Sequence, residues 1–166
     1  MLKTEITAEQ KEQFGRAMGR MASGVYIVTV DNEGKRDGML ATWVMQASMD
    51  PPVVSVAVKD GRPILSALKE GSHFVVNVLS KTNMDVFKNF AKPDLNGEDR
   101  FTGLKCGQVE NNLPYFEEAV SYFTVKVIKH TTAGDHVIVF GEVVGGAMLN
   151  EGGEPMVHLR KSGFQY

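Results

Sequence analysis

The stretch from Gly38 to Arg62 carries a concentrated set of groups able to hold an anion beside a flat ring. Ahead of Asp50-Pro51-Pro52 stand the hydroxyl of Thr42, the indole of Trp43 and the carboxamide of Gln46. Behind it, the β-branched run Val53 to Val58 ends in Lys59 and Arg62, on a glycine-containing turn just before Pro63 opens a helical turn. Two cations, free backbone amides and the start of a helix together suit a phosphate. Trp43 offers an aromatic face on which a ring can stack. His136 follows Gly134-Asp135 at a hairpin, where an imidazole can place a substrate near neutral pH. Pattern alone leaves plainer readings open: Lys59 and Arg62 as solvated turn residues, Trp43 as a core or interface tryptophan, His136 as an ordinary strand-start histidine. Arg100 and Arg160 are isolated cations that the sequence does not assign.

Other chemistries find no support in the motifs. There is no Gly-x-x-x-x-Gly-Lys-Ser/Thr loop and no Gly-x-Gly-x-x-Gly after a strand, and Gly141 to Gly146 does not fit either pattern. His73, His130, His136 and His158 show no ligand spacing, so no metal is expected. No Gly-x-Ser-x-Gly elbow supports a nucleophilic serine. The 18 basic and 20 acidic side chains leave a formal charge of −2, which argues against nucleic acid as a partner. No run approaches the ~20 apolar residues that span a bilayer, and the N-terminus has no apolar signal core, so no membrane association is expected. The single cysteine, Cys106, excludes an intrachain disulfide and fits a reducing, cytoplasmic setting.

The elements that must position these groups read as a single domain over residues 1–166. Thr7 and Gln10 form a capping box for a first helix, with Phe14, Ala17, Met18 and Met21 as its apolar stripe. Gly15 and Gly19 either permit close backbone approach or simply weaken that helix, the second being the plainer expectation; Ser23-Gly24 stops it. Val25 to Val30 is a strand, Asp31 to Gly34 a turn, and the chain returns from Gly38 to Ser48 as the second arm of a hairpin. Val53 to Val58 is a third strand. A short helix begins at Pro63 with Ile64, Leu65 and Leu68 buried, and Thr82 caps another that carries Val86, Phe87 and Phe90. His73 to Leu79, Ser121 to Lys129, His136 to Val144 and a last piece near Met156 to Leu159 complete about seven strands. Phe123, Val125 and Val127 share one face, and Gly145-Gly146 marks a bend or bulge. Ala91 to Leu113, including Pro93, Asp94 and Asn96 to Asp99, is irregular and a candidate lid or partner surface. Seven short strands with three helices favour a small, mainly antiparallel β-barrel over a doubly wound sheet.

Taken together these segments resemble the flavin reductase-like, FMN-binding split-barrel family. The landmarks are Ser23-Gly24-Val25-Tyr26-Ile27-Val28-Thr29, Gly38-Met39-Leu40-Ala41-Thr42-Trp43, Asp50-Pro51-Pro52, Phe74 to Leu79, Gly134-Asp135-His136 and Gly141-Glu142-Val143. Ala41 to Ser48, Asp99 to Lys105 and His158 to Gly163 are similar to the flavin reductase module of diflavin flavodiiron proteins and high-molecular-weight rubredoxins. The resemblance implies a mainly β fold: an FMN-binding, antiparallel, Greek-key-like split β-barrel with a few short peripheral helices, in a homodimer. It implies a cofactor, FMN or less often FAD, with NAD(P)H as donor. By position, Leu40, Ala41, Thr42, Trp43, Val44 and Gln46 would line the ring and ribityl chain. Ala57, Val58, Lys59 and Arg62 would continue the site, the two cations on the phosphate. Phe90, Ala91 and Lys92 match a segment that closes on the flavin, and His136 matches a histidine beside the nicotinamide. Family members that take free flavin as substrate commonly carry a Ser-rich segment at Lys59 to Arg62. The two cations here imply tighter phosphate holding, and the C-terminal end, with Arg160 and Tyr166, departs from the common reductase pattern. Three functions follow as candidates: an NAD(P)H-dependent flavin oxidoreductase feeding free flavin or a rubredoxin- or flavodiiron-type protein, a flavin electron carrier that does not use nicotinamide, and a barrel without cofactor.

Overall fold

Thr7 begins the first helix as the sequence predicts: its hydroxyl accepts from the Gln10 amide at 3.1 Å while Gln10 Oε1 accepts from the Thr7 amide at 2.9 Å. The computed structural model describes residues 5–92, 97 and 99–165, so Pro93, Asp94, Asn96, Glu98 and Tyr166 lie outside the described residues. By packing the chain divides into two units, Met1–Ser23 with Val157–Tyr166, and Gly24–Met156.

In the first unit, α1 (Ala8–Gly19) ends at an Arg20 C-cap, earlier than the Ser23-Gly24 stop expected. Its buried residues are Gly15 and Gly19, while Phe14, Met18 and Met21 of the apolar stripe are exposed. The glycines exist for close approach, not as mere weak points. A Cβ on Gly19 would stand 2.7 Å from the Arg160 carbonyl oxygen, and one on Gly15 would stand 2.6 Å from Ser162 Oγ. The bare surface lets the returning chain bond the helix: Arg160 N–H donates to Gly19 O and Gly163 N–H to Gly15 O. Arg160 Nη1 also donates to the Gly163 carbonyl, which gives that cation a local structural role.

The second unit is a curled sheet. After the two-residue strand β1 (Ser23–Gly24) come β2 (Tyr26–Asn32), β3 (Lys35–Ala41), β4 (Val44–Met49) and β5 (Pro52–Lys59). They are followed by β6 (His73–Val78), β7 (Cys106–Val109), β8 (Leu113–Phe116), β9 (Ser121–Ala133) and β10 (His136–Met148); β11 (Val157–His158) belongs to the first unit. Glu33 and Gly34 both take positive φ, the geometry that a tight two-residue hairpin between β2 and β3 needs. Helix α2 spans Met84–Ala91 and a 3-10 turn spans Pro63–Ser66.

Seven strands pair in the order β3-β2-β6-β9-β10-β5-β4, every neighbour antiparallel. The two edge strands, β3 and β4, are joined by Thr42-Trp43 alone, so the sheet curls until its edges approach and leaves a split there. This corrects the expectation of one strand from Gly38 to Ser48: the chain breaks at Thr42 and crosses from one edge to the other. β4 and β5 meet through a cis Asp50-Pro51 peptide. Three further corrections are smaller. The Pro63 helix is a 3-10 turn, with Ile64 and Leu68 buried as expected. Asn83, not Thr82, is the N-cap of α2. The irregular stretch after Ala91 is shortened by β7 and β8, which form their own hairpin.

Two cores result. Val28, Val56, Phe74, Val125 and Val139 fill the inside of the curl. Ile27, Leu79, Phe90, Phe101 and Phe116 form a second cluster that includes residues of α2 and β8. Phe90, Phe101 and Phe116 meet pairwise at ring distances of 5.2–5.6 Å. Full burial of such rings contributes about 1.5–3 kcal/mol each. Asn77, inside an otherwise apolar strand, donates to Ile27 O and Thr29 Oγ1 and accepts the Phe116 amide, so a fully buried carboxamide ties the barrel wall to β8.

Candidate functional site

Strand parity sets the site. On β5, Val54, Val56 and Val58 belong to the inner core, so Ser55, Ala57 and Lys59 face the other way. The antiparallel register sets Phe140 beside Ser55, Ile138 beside Ala57 and His136 beside Lys59. On the other flank, Met45 stands beside Ser55, and the Trp43 carbonyl accepts the Ala57 amide at 3.0 Å. The outward face of β4, β5 and β10 is therefore a shelf of small and apolar side chains, bordered by an indole and an imidazole.

At one end of that shelf the two rings meet: the Trp43 and His136 centroids are 4.8 Å apart with planes tilted by 38°. His136 is 7% exposed. Its Nδ1 lies 2.8 Å from Asp135 Oδ1, and this hydrogen bond holds the Asp135 carboxyl below its usual range. An imidazole whose Nδ1 faces a carboxylate is held in one rotamer. The same hairpin is tied to the cationic turn, because the Asp135 carbonyl accepts the Asp60 amide at 3.0 Å. That turn closes with Arg62 N–H donating to Lys59 O at 3.2 Å, which keeps both exposed cations at the end of the shelf beside His136.

The structure thus brings together Trp43, Ala57, Lys59 and His136, with Arg62 following on the turn. Thr42 is half-buried in the bend between the edges, and Gln46 is exposed on β4. Ala41 and Val58 are in the inner core and Val44 packs against it, so these three offer the outward face only their backbone. Leu40 packs instead against the second cluster, where Phe90 lies. Phe90 meets β3 at Gly38, where an added Cβ would stand 3.0 Å from its ring, and Ala91 and Lys92 follow at the exposed end of α2. Sequence reasoning missed Ser55, Ile138, Phe140 and Asp135. The alternation of β5 and β10 was the available signal, but it needs the cross-strand register to become a surface.

Among the described residues no group of three or more His, Cys, Asp or Glu is placed to hold a metal, and no helix is long and apolar enough to cross a membrane. Cys106 is partly buried, and burial pushes its thiol above the ordinary value.

Comparison with known proteins gives a consistent neighbourhood. The flavin reductase like domain family matches residues 18–165. Diflavin flavoprotein A 1 of Synechocystis sp. is 37% identical over 152 residues, 91% of this chain and 26% of its own length. This chain therefore spans about a quarter of that relative. Among solved structures, flavin reductase HpaC complexed with NADP+ superposes with a TM-score of 0.77 at 28% identity, covering 87% of this chain and 90% of that one. The NADH:FAD oxidoreductase SgcE6 of Streptomyces globisporus, in complex with NAD and FAD fragments, superposes with a TM-score of 0.81, covering 96% and 93% of the two chains; its 24% identity speaks for the fold alone.

Proposed function

Because this chain belongs to the flavin reductase-like domain family, we propose that it is an NAD(P)H-dependent oxidoreductase that holds FMN on the shelf beside Trp43 and His136 and passes electrons to free flavin or to a redox protein. The observation that carries this reading is the convergence of an aromatic pair and a cationic turn at one end of a flat face of small side chains. A flavin mononucleotide has matching parts: a planar ring, a polyol chain and one terminal phosphate. The residues present fit it. Ser55 and Ala57 leave room over the sheet, the Thr42 hydroxyl and neighbouring amides can donate to ring or chain, and Lys59 and Arg62 can neutralise the phosphate. A single terminal phosphate on one turn suits FMN better than FAD.

When bound, the flavin accepts a hydride equivalent from the reduced nicotinamide and releases electrons onward. The chain's own work is to bind, orient and exclude water. Trp43 covers one end of the face, and Lys59 and Arg62 add positive charge that favours an electron-rich ligand. His136, held by Asp135, stands at the end of the shelf, where a nicotinamide carboxamide can be oriented. Positioning alone supplies much of the rate in such a site, and no side chain need transfer a proton. One relative supports the nicotinamide: HpaC, 28% identical to this chain, is complexed with NADP+. The likeness to a diflavin flavoprotein is the ground for a redox-protein acceptor, which we take to be of rubredoxin or flavodiiron type. We infer a homodimer, since β4 is an edge strand exposed along most of its length, with Met45 and Met49 outward; the single cysteine is the ground for reading it as cytoplasmic.

The deciding experiment is an anaerobic visible spectrum of the FMN-loaded protein before and after NADH and then NADPH. Bleaching by one of them at a rate that sustains turnover is expected. A flavin band that survives both nucleotides moves the protein to the class of electron carriers reduced by another protein. Failure to take up FMN at all removes the cofactor reading.

A further inference from the structure

β3 approaches the site with Arg36, Gly38 and Leu40 at alternate positions, and a remote segment, Asp99-Arg100-Phe101, is fastened along it by two ion pairs. Arg36 pairs with Asp99, and Arg100 Nη2 lies 3.4 Å from Asp37 Oδ1. Consecutive residues on one segment bind consecutive residues on the other, with charge order reversed. A slip of one residue would therefore set Arg36 against Arg100 or Asp37 against Asp99, so the arrangement specifies a single register. Each guanidinium also rides a ring: Arg36 stands 5.0 Å from the Phe101 centroid and Arg100 5.3 Å from that of Phe90. Asn89 on α2 donates to the Arg100 carbonyl at 3.1 Å.

The line from this clamp to the site is short. The Asp37 oxygen that faces Arg100 also accepts the Gly38 amide at 2.7 Å. Gly38 is the residue against which Phe90 lies, with no side chain between the ring and the β3 backbone. Leu40 packs against the same cluster as Phe90, and Thr42-Trp43 follow directly. Partly exposed ion pairs add little to global stability, and the Arg36–Asp99 side chains are 43% and 44% exposed. The Arg100–Asp37 pair is more sheltered, at 21% and 29%. What the pairs supply is alignment.

We propose that Arg100 and Asp37 are positioning residues of the flavin site: the reciprocal pairs hold Phe90 against Gly38 and so fix the Leu40–Trp43 end of β3 for the ring. The proposal deepens the flavin reading and rests on it. Its test uses the full chain and two probes, FMN and riboflavin, with binding followed by quenching of flavin fluorescence. Riboflavin lacks the phosphate, so any effect of salt on it does not come from Lys59 and Arg62. Arg100→Gln and Asp37→Asn should each weaken both flavins by about fivefold, with little change in Tm. Wild-type riboflavin affinity should fall at ~0.5 M NaCl, where exposed charges are screened, and this salt response should shrink in both variants, which keep only the Arg36–Asp99 pair of the clamp. Arg100→Lys, which keeps the charge, should stay within about twofold of wild type. Lys81→Gln, which breaks the surface pair with Glu154, should change nothing in binding. Unchanged affinity in Arg100→Gln and Asp37→Asn overturns the proposal while leaving the flavin reading intact. So does an equal loss in Lys81→Gln, or a loss that follows a fallen Tm and keeps the salt response. A wild-type protein that binds neither flavin overturns the flavin reading itself, and the proposal with it.

Discussion

Lys59 and Arg62 sit three residues apart on a turn whose backbone is closed by the Arg62 amide, so both charges stay near one point without any side chain being buried. Their predicted contribution to binding of the oxidised flavin is through the phosphate. Lys59→Gln and Arg62→Gln should each weaken FMN by about three- to tenfold, the range for charge-assisted hydrogen bonds reduced by exposure. Riboflavin affinity should stay as in wild type. Titration of both ligands against each variant checks this, and an equal loss for riboflavin would show that the cations act on the fold of the turn and not on a phosphate. These residues were legible because the chain itself places them together, beside a β-branched run. Val58, one position away, was named with them, yet parity turns its side chain into the core. Ser55, Ile138 and Phe140 were not legible, since each becomes part of one face only through pairing of β5 with β10 across some eighty residues of chain.

At the scale of elements, the two clearest departures concern who approaches whom. The run from Gly38 to Ser48 has strand composition throughout, and nothing local announces that Thr42 is where the sheet runs out of width and the chain must cross its split. In α1, periodicity marks Phe14, Met18 and Met21 as the packing stripe, whereas the packed face is the glycine pair, because backbone–backbone approach needs the absence of side chains and no hydrophobicity pattern records an absence. This leads to opposite expectations for two similar substitutions. Alanine gains up to ~1 kcal/mol over glycine inside a helix. At Gly15 the new methyl group would meet Ser162 Oγ at 2.6 Å and the edge of the Phe164 ring at 3.1 Å, both side-chain atoms that can turn away, so Gly15→Ala should be close to neutral. At Gly19 it would meet the Arg160 carbonyl at 2.7 Å and the Ser162 amide at 3.0 Å, which are backbone and cannot turn. The overpacking cost of about 1–3 kcal/mol should win there. Gly19→Ala should therefore loosen the Arg160–Gly163 segment, read as faster amide exchange at Arg160 and Gly163, while Gly15→Ala leaves exchange at Arg160 unchanged. Equal behaviour of the two variants would deny the glycine-mediated approach.

At the scale of the larger unit, two apolar cores share the wall made by β2 and β6, and one polar residue bonds through it. Ile27 and Val28 point to opposite cores, as strand neighbours must, and Asn77 lies in the same wall with no exposure. Its carboxamide donates to Ile27 O at 3.1 Å and Thr29 Oγ1 at 3.2 Å and accepts the Phe116 amide at 2.9 Å, while the Thr29 hydroxyl donates to the Pro114 carbonyl. β8 is not a strand of the seven-stranded sheet, so these bonds are part of what registers the outer layer on the barrel. Asn77→Ala removes three buried hydrogen bonds and strands the Phe116 amide. The penalty for an unmet buried group and the lost bonds together come to about 2–4 kcal/mol. Urea unfolding should show a lower midpoint with an unchanged slope, because the same surface is exposed at the end of the transition. Followed by Trp43 fluorescence and by far-ultraviolet circular dichroism, the wild-type curves should coincide, since the wall gives both cores a common strand pair. A midpoint that does not move in Asn77→Ala would mean that the apolar contacts of Phe116 alone hold the layer. Curves that separate in the wild type would mean that the layer carrying Phe90, Phe101 and Phe116 unfolds apart from the barrel, and the site's two supports, the Trp43–His136 shelf and the Phe90 side of β3, would then belong to different cooperative units.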